Sequence, residues 1–175
     1  RRFIDIVNND LANTIGNLLN RTTSMARKWF RDSVPPNLHA SSLNHPLEMK
    51  SIEVIELVRN SLESFQFQEA SEAILSMSIA ANAYLNDKSP WSLMKGKNNK
   101  EEVGTQLYVV LESCRIVGVL LNPIVPQFSN RLLTQLGANI TGATWVPYLT
   151  WGILQSGSPL PTPSPIMNRI EIDDN

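Results

Sequence analysis

Prolines and glycines cut this sequence into stretches whose apolar residues recur every three or four positions, and that pattern restricts the fold to packed helices. Between Phe3 and Phe30, the residues Phe3, Ile6, Val7, Leu11, Ile15, Leu18, Leu19 and Met25 make one apolar stripe of an amphipathic helix. Pro35 and Pro36 end it, since neither donates an amide hydrogen and each pushes its predecessor out of the helical basin. The period resumes over 48–65 and 69–85, and the joint at 66–68 predicts two antiparallel helices. Residues 86–90 carry turn chemistry, and 91–95 with a glycine-containing break at 96–100 lead to a fourth helix over 101–121. Asn122 and Pro123 close that helix, and a shorter one runs from Val125 and Pro126 to Leu136, with Gly137 placed as its cap. No stretch alternates apolar and polar residues as a strand would. The expected fold is all-α, a bundle of four to six helices with an irregular proline-rich C-terminal tail.

Length limits the number of cores. With 175 residues, 42% of them hydrophobic, the chain suits one bundle, expected over 1–155, and a linker and tail over 156–175, where four prolines fall within 156–165. An apolar patch of Trp145, Tyr148, Leu149, Trp151, Ile153 and Leu154 between them is expected to dock on the bundle. Fifteen Lys and Arg against sixteen Asp and Glu leave a net charge of −1, so no global field draws nucleic acid or anionic lipid, and any RNA contact has to be local. The single cysteine, Cys114, lies among Leu111, Ile116 and Val117 and reads as a small buried hydrophobe in a reducing compartment. The most apolar stretch, 103–125, contains Gln106, Glu112 and Arg115, which a membrane-spanning helix does not readily accept, so no membrane partner is expected. The chain opens at Arg1 with a helical pattern already running, which suggests a piece of a longer polypeptide.

Little of the sequence carries catalytic chemistry. His39 and His45 share a loop far from Cys114, the glycines Gly16, Gly96, Gly104 and Gly118 are scattered, and the carboxylate pairs Glu53/Glu56 and Glu101/Glu102 belong to solvated helix faces. No catalytic residue, metal or cofactor is expected. The exception to this plainness is the polar face of the first helix, where Asn13, Asn17, Asn20 and Arg21 recur at three and four residues and Gly16 interrupts the helix. Asparagine and glycine are poor helix formers. These amides and the guanidinium either hydrogen-bond the edges of an unstacked base or brace the helix against its neighbours, and spacing leaves both open. Trp91, directly after Pro90 in a polar turn, is in the same position: it anchors the turn or forms a platform for a base, in which case its ring is largely exposed without RNA. Trp29, Trp145 and Trp151 read as packing residues.

Two segments together resemble the anticodon-binding domain of methionyl-tRNA synthetases of the bacterial or organellar type. Residues 9–21, from Asn9-Asp10-Leu11 to Asn20-Arg21, resemble its opening motif; residues 82–91, Asn82-Ala83-Tyr84 through Pro90-Trp91, followed by Lys95, resemble its second. Pro123 to Pro126, Leu136 and Gly137, and 165–171 fall where the family has similar residues, although Ile166-Met167-Asn168-Arg169 stands where the family usually has Leu-Phe-Pro-Arg. The resemblance implies a helical bundle that binds methionine tRNA through its CAU anticodon, with Asn17, Arg21 and Trp91 holding the first base, a cytosine. It leaves Asn13 and Asn20 to helix-to-helix support. It also implies a separate catalytic domain of the same polypeptide, which would use ATP and methionine and whose signature motifs are absent here. No DNA partner is implied, and the compartment would be the cytoplasm or the matrix or stroma of an organelle. The alternative is a helical protein-interaction module that keeps the fold without RNA binding.

Overall fold

A computed structural model of the chain describes residues 6–37, 44–96 and 98–167. The first helix begins as a π-helix, Ile6–Gly16, and passes without a break into α1, Asn17–Phe30, because Gly16 itself has helical angles (φ −62°, ψ −44°). Residues 3–5 of the expected helix lie outside the described residues. The wider winding coincides with the poor α-formers: the Thr14 hydroxyl donates to the Asn9 carbonyl five residues back, at 2.9 Å, and a Cβ on Gly16 would stand 3.3 Å from the Leu11 carbonyl oxygen. α1 ends at Phe30, four residues before Val34. Arg31 and Asp32, both at φ 54°, turn the chain through the left-handed region, with the Asp32 amide donating to the Arg27 carbonyl.

α2, Pro46–Glu63, and α3, Phe67–Lys88, form the expected antiparallel hairpin, joined over 64–66 with Phe65 at φ 56°. α3 runs through Asn86, Asp87 and Lys88, residues read from the sequence as a turn, before Ser89 at φ 44° stops it. Pro90 then opens a single turn, α4, Pro90–Leu93, using the position where a missing amide hydrogen costs nothing. α5, Lys100–Leu121, is the centre of the bundle and packs on α1, α2, α3, α4 and α6, Pro126–Gln135. From Gln106 to Leu121 every residue of α5 is buried, which explains a stretch apolar enough to cross a membrane by composition: its surroundings are protein on all sides. Close approach to α6 is set by Gly118, where a Cβ would come within 2.7 Å of Leu132 Cδ2. Gly137, at φ 65°, ends α6 as expected, with the Ala138 amide donating to the Leu133 carbonyl. Cys114 is buried in this core, which pushes its thiol up to about 12, so it remains protonated at neutral pH.

The segment beyond α6 is fixed by a polar device inside the apolar core. Glu112 and Arg115, adjacent on α5 and almost without exposure, pair at 2.6 Å. Glu112 also accepts the backbone amides of Gly152, Ile153 and Leu154, while Arg115 donates to the carbonyls of Tyr148 and Thr150. Leu149 and Leu154 are thereby buried, Trp145 and Trp151 pack at the core's edge, and the Tyr108 hydroxyl donates to the Leu154 carbonyl at 2.7 Å. The proline-rich segment 157–167, which starts from a turn at Gly157 (φ 83°), lies on the bundle. Among the described residues there is no strand, only an antiparallel bridge between Ser33 and Pro159, flanked by backbone bonds from Val34 to Ser158, Gly157 to Val34 and Leu160 to Asp32. Arg27 Nη2 donates to the Pro161 carbonyl, and Gln135 and Ser164 exchange two hydrogen bonds. Ile166 is buried at the end of this path; Asn168 and Arg169 lie outside the described residues.

His45 caps α2 with its side chain, Nδ1 accepting the Leu47 amide at 3.1 Å, and its ring stands edge-on to Tyr84. Burial holds the imidazole below its ordinary pKa, Lys88 adds to the depression and Glu48 opposes it. A cap of this kind needs the neutral ring, so its stabilisation is complete above the unfolded value near 6.5 and is lost as pH falls through the lower folded value. Thermal melting between pH 7.5 and 5 should show a fall of a few degrees from this source, since one cap is worth about 1 kcal/mol. In His45→Asn, which caps without titrating, that part of the fall should disappear; an unchanged pH profile would rule the cap out as its origin.

Candidate RNA-binding face

The two motif segments meet on one surface. α1 presents Asn17 and Arg21 one turn apart, both exposed, and α3 presents Asn82 and Asn86, also one turn apart because the helix continues through Asn86. Arg21 reaches across: Nη2 donates to Asn86 Oδ1 at 3.2 Å and Nη1 to Asn82 Oδ1 at 3.5 Å. Its guanidinium carbon lies 5.5 Å from the centroid of the Trp91 ring, a cation–π contact. Trp91 itself is carried on α4, which follows α3 after the left-handed Ser89 and opens on Pro90. Two acceptors and one aromatic face thus fix the direction of a guanidinium that would otherwise sample many rotamers.

Trp91 is 36% exposed, less than expected for a bare platform, because Arg21 covers part of it. The structure thus brings Arg21 and Trp91 together. Asn17, one turn before Arg21 and without a printed contact to it, also lines a hollow of about 340 Å3, together with Asn20, Gly16, Gln135 and the tail residues Pro163–Met167. Asn13, grouped with these residues by spacing, lies within the π-wound segment, where its amide bonds to Asn9 at 3.4 Å, so it does not continue the face of α1. Asn20 is exposed on the hollow and is not packed between helices, so the expected bracing role does not hold for it.

Asn82 and Asn86 are the participants that sequence reasoning missed. Asn82 belongs to the second motif, and Asn86 was read as part of a turn; recognising that α3 runs on to Lys88 would have placed both on one face. The hollow could not be found in this way, since its second wall comes from the tail. The chemistry available on the surface is hydrogen bonding, stacking and one fixed positive charge, which suits an unpaired nucleobase.

A family model described as the anticodon binding domain of methionyl tRNA ligase matches residues 34–175, a span that includes Trp91 and starts after Asn17 and Arg21. Over 98% of its length, the chain is 36% identical to a methionine–tRNA ligase of Synechocystis sp. and 35% identical to the chloroplastic/mitochondrial methionine–tRNA ligase of Arabidopsis thaliana, of which it covers 34% and 28%. The apo structure of Mycobacterium tuberculosis methionyl-tRNA synthetase superposes with a TM-score of 0.84 at 28% identity, over 97% of this chain and 34% of that one. The chain spans about a third of the length of these relatives.

Proposed function

Because the chain belongs to the family of methionyl-tRNA ligase anticodon-binding domains, we propose that the face formed by Asn17, Arg21 and Trp91 reads the first base of the CAU anticodon of methionine tRNA. The observation that carries this reading is the guanidinium of Arg21, held by Asn82 and Asn86 across Trp91. At 5.5 Å there is no space for a base between guanidinium and ring. The incoming base therefore takes the stacking place on Trp91 while Arg21 shifts to its edge and donates to it. A cytosine offers a carbonyl and a ring nitrogen as acceptors and an exocyclic amine as donor, matching an arginine and the carbonyl of Asn17. A uracil would set its own carbonyl against that of Asn17 and a ring N–H against the guanidinium. Leaving such groups unpaired at a partly dehydrated contact is the source of discrimination.

Aminoacylation in this proposal belongs to the remaining part of the enzyme, represented in the relatives but not in this third, where ATP and methionine would bind. The compartment would be the bacterial cytoplasm or an organelle, the latter as in the chloroplastic/mitochondrial relative. With a net charge of −1, long-range attraction adds little, so recognition depends on these local contacts.

Titration of the chain with methionine tRNA and with the same tRNA carrying uridine at the first anticodon position tests the reading. The expected result is binding that weakens by about tenfold or more for the changed tRNA, the discrimination available from one well-matched base edge. Equal affinity for both, or binding of neither at low salt, would reject anticodon recognition and leave a protein-interaction module.

A further inference from the structure

The net charge of −1 hides a segregation of charge. Residues 21–31 and 88–100 hold eight of the fifteen Lys and Arg and no Asp or Glu. Two of the eight are engaged elsewhere: Arg27 donates to the Pro161 carbonyl on the tail side, where the charge of Asp32 acts on it, and Lys88 pairs with Asp87 at 3.5 Å. Lys97 lies outside the described residues. Arg21, Lys28, Arg31, Lys95 and Lys100 are exposed, and none of them makes an ion pair among the described residues. Helix lengths decide where these cations stand. α1 and α3 run in the same direction, since Leu11 and Ile15 line a groove with Phe67 and Ile74 while Arg21 bonds Asn82 and Asn86. α3 stops two residues after Asn86, whereas α1 continues for nine after Arg21. Lys28 follows Arg21 by seven residues, two turns and about 10 Å, on the same side of the helix. It therefore stands past the end of α3, on the side of α1 that faces Trp91. Lys100 approaches the end of α1 from α5, its Nζ 5.4 Å from the Phe30 centroid, but the exposed Glu101 next to it offsets its charge.

We infer that Lys28, at the projecting end of α1, binds a backbone phosphate of the RNA strand whose base is held at Arg21 and Trp91, with Arg31 and Lys95 adding to the positive field. The inference rests on the RNA site proposed above and adds to it a contact that holds the strand without reading it. A nucleotide stacked on Trp91 carries its phosphates away from the ring, and the next exposed cation along α1 after Arg21 is Lys28. An ammonium with no protein partner has no internal bond to break before it meets a phosphate, and the counterions released from the RNA favour the contact. Lysine on its flexible stem acts there as a point charge, in contrast to the fork of Arg21, whose direction is fixed by two asparagines. Such a contact sets the register of the strand on the protein and is indifferent to the identity of the base.

The test measures binding, between about 50 and 200 mM salt, to a hairpin containing the anticodon stem and loop of methionine tRNA and to the same hairpin with the first anticodon base changed from C to U. In Lys28→Gln the plot of log affinity against log salt concentration should become shallower by about 0.7–0.9, the change expected for one phosphate contact. Both hairpins should weaken by the same factor, so that the preference for C over U stays within about twofold of the parent's. Lys28→Arg keeps the charge and should restore the slope. Arg59→Gln removes an exposed cation from α2, which carries no part of the RNA site, and should leave slope and affinity as they are. All three substitutions are at exposed helical positions, and their melting temperatures should match the parent's. An unchanged slope in Lys28→Gln, an equal change in Arg59→Gln, or loss of the C-over-U preference in Lys28→Gln would overturn the phosphate assignment. A parent chain that shows no such preference but a slope dependent on Lys28 would reject the anticodon reading and keep the phosphate contact. Failure of the parent to bind either hairpin at low salt would overturn both.

Discussion

Glu112→Ala is expected to lower stability by about 3–5 kcal/mol, the cost typical of removing one partner of a buried ion pair. The reason is the state of what remains. Arg115, almost fully buried, would lose its 2.6 Å partner, and the amides of Gly152, Ile153 and Leu154 would lose their acceptor. The two backbone carbonyls that Arg115 also bonds do not neutralise its charge. For a domain of this size the loss corresponds to a melting temperature lower by roughly 10 °C or more. Glu112→Gln should lie between, because an amide oxygen still accepts while the charge and one acceptor are gone. Replacing both residues, as in Glu112→Leu with Arg115→Met, should recover part of the loss, since no charge is then left unpaired although the three amides are. A melting temperature within 2–3 °C of the parent for Glu112→Ala would show that the pair does not hold the 148–154 segment. The segment leads directly into the tail that walls the hollow, so limited proteolysis should cut the variant first between 145 and 167.

Arg21→Ala should have the opposite profile, a large effect on RNA binding with little on folding. Arg21 is exposed, and alanine is the better helix former, so the stability lost is restricted to two exposed hydrogen bonds and one exposed cation–π contact, together under about 1 kcal/mol. A hydrogen bond from a charged donor at a recognition site is worth about 1.5–3 kcal/mol, hence a loss of affinity between roughly tenfold and a hundredfold. Arg21→Lys separates two modes of action. If the group meets a phosphate, lysine should restore most of the affinity; if it meets a base edge across a fixed fork, lysine should restore charge without discrimination between cytosine and uracil. Unchanged affinity in Arg21→Ala would remove this residue from the site. Trp91→Ala is a less clean probe, because a ring only 36% exposed contributes to packing as well as to stacking, and the variant should lose some stability along with RNA.

The helical pattern was legible to the extent that it is local. Apolar residues at three and four marked α2, α3, α5 and α6, Gly137 was placed at its left-handed cap, and Cys114 was found among buried neighbours. The reading failed where a local rule met a competing one. Asn86 to Lys88 has turn composition, yet α3 continues through it because Leu85 is buried against the core and Ser89 takes the left-handed turn. The first helix keeps its apolar stripe, yet its early turns widen to a π-helix where asparagine, threonine and glycine accumulate. Glu112 and Arg115 were legible as interruptions of an apolar helix, without any indication of what they hold.

The sequence by itself determined the class of fold and the positions of its breaks, because these depend on periodicity and on residue types a few positions apart, and it carries the two segments whose resemblance to a family implies a base-reading surface. Only the tertiary structure decided that Arg21 is aimed by Asn82 and Asn86, 61 and 65 residues away, that Trp91 lies beneath it, and that the tail returns to α1 to enclose a hollow beside Asn17 and Asn20. The physical reason is that a hydrogen bond or a stacked ring between distant segments is set by how helices pack around α5, and no local spacing encodes that packing.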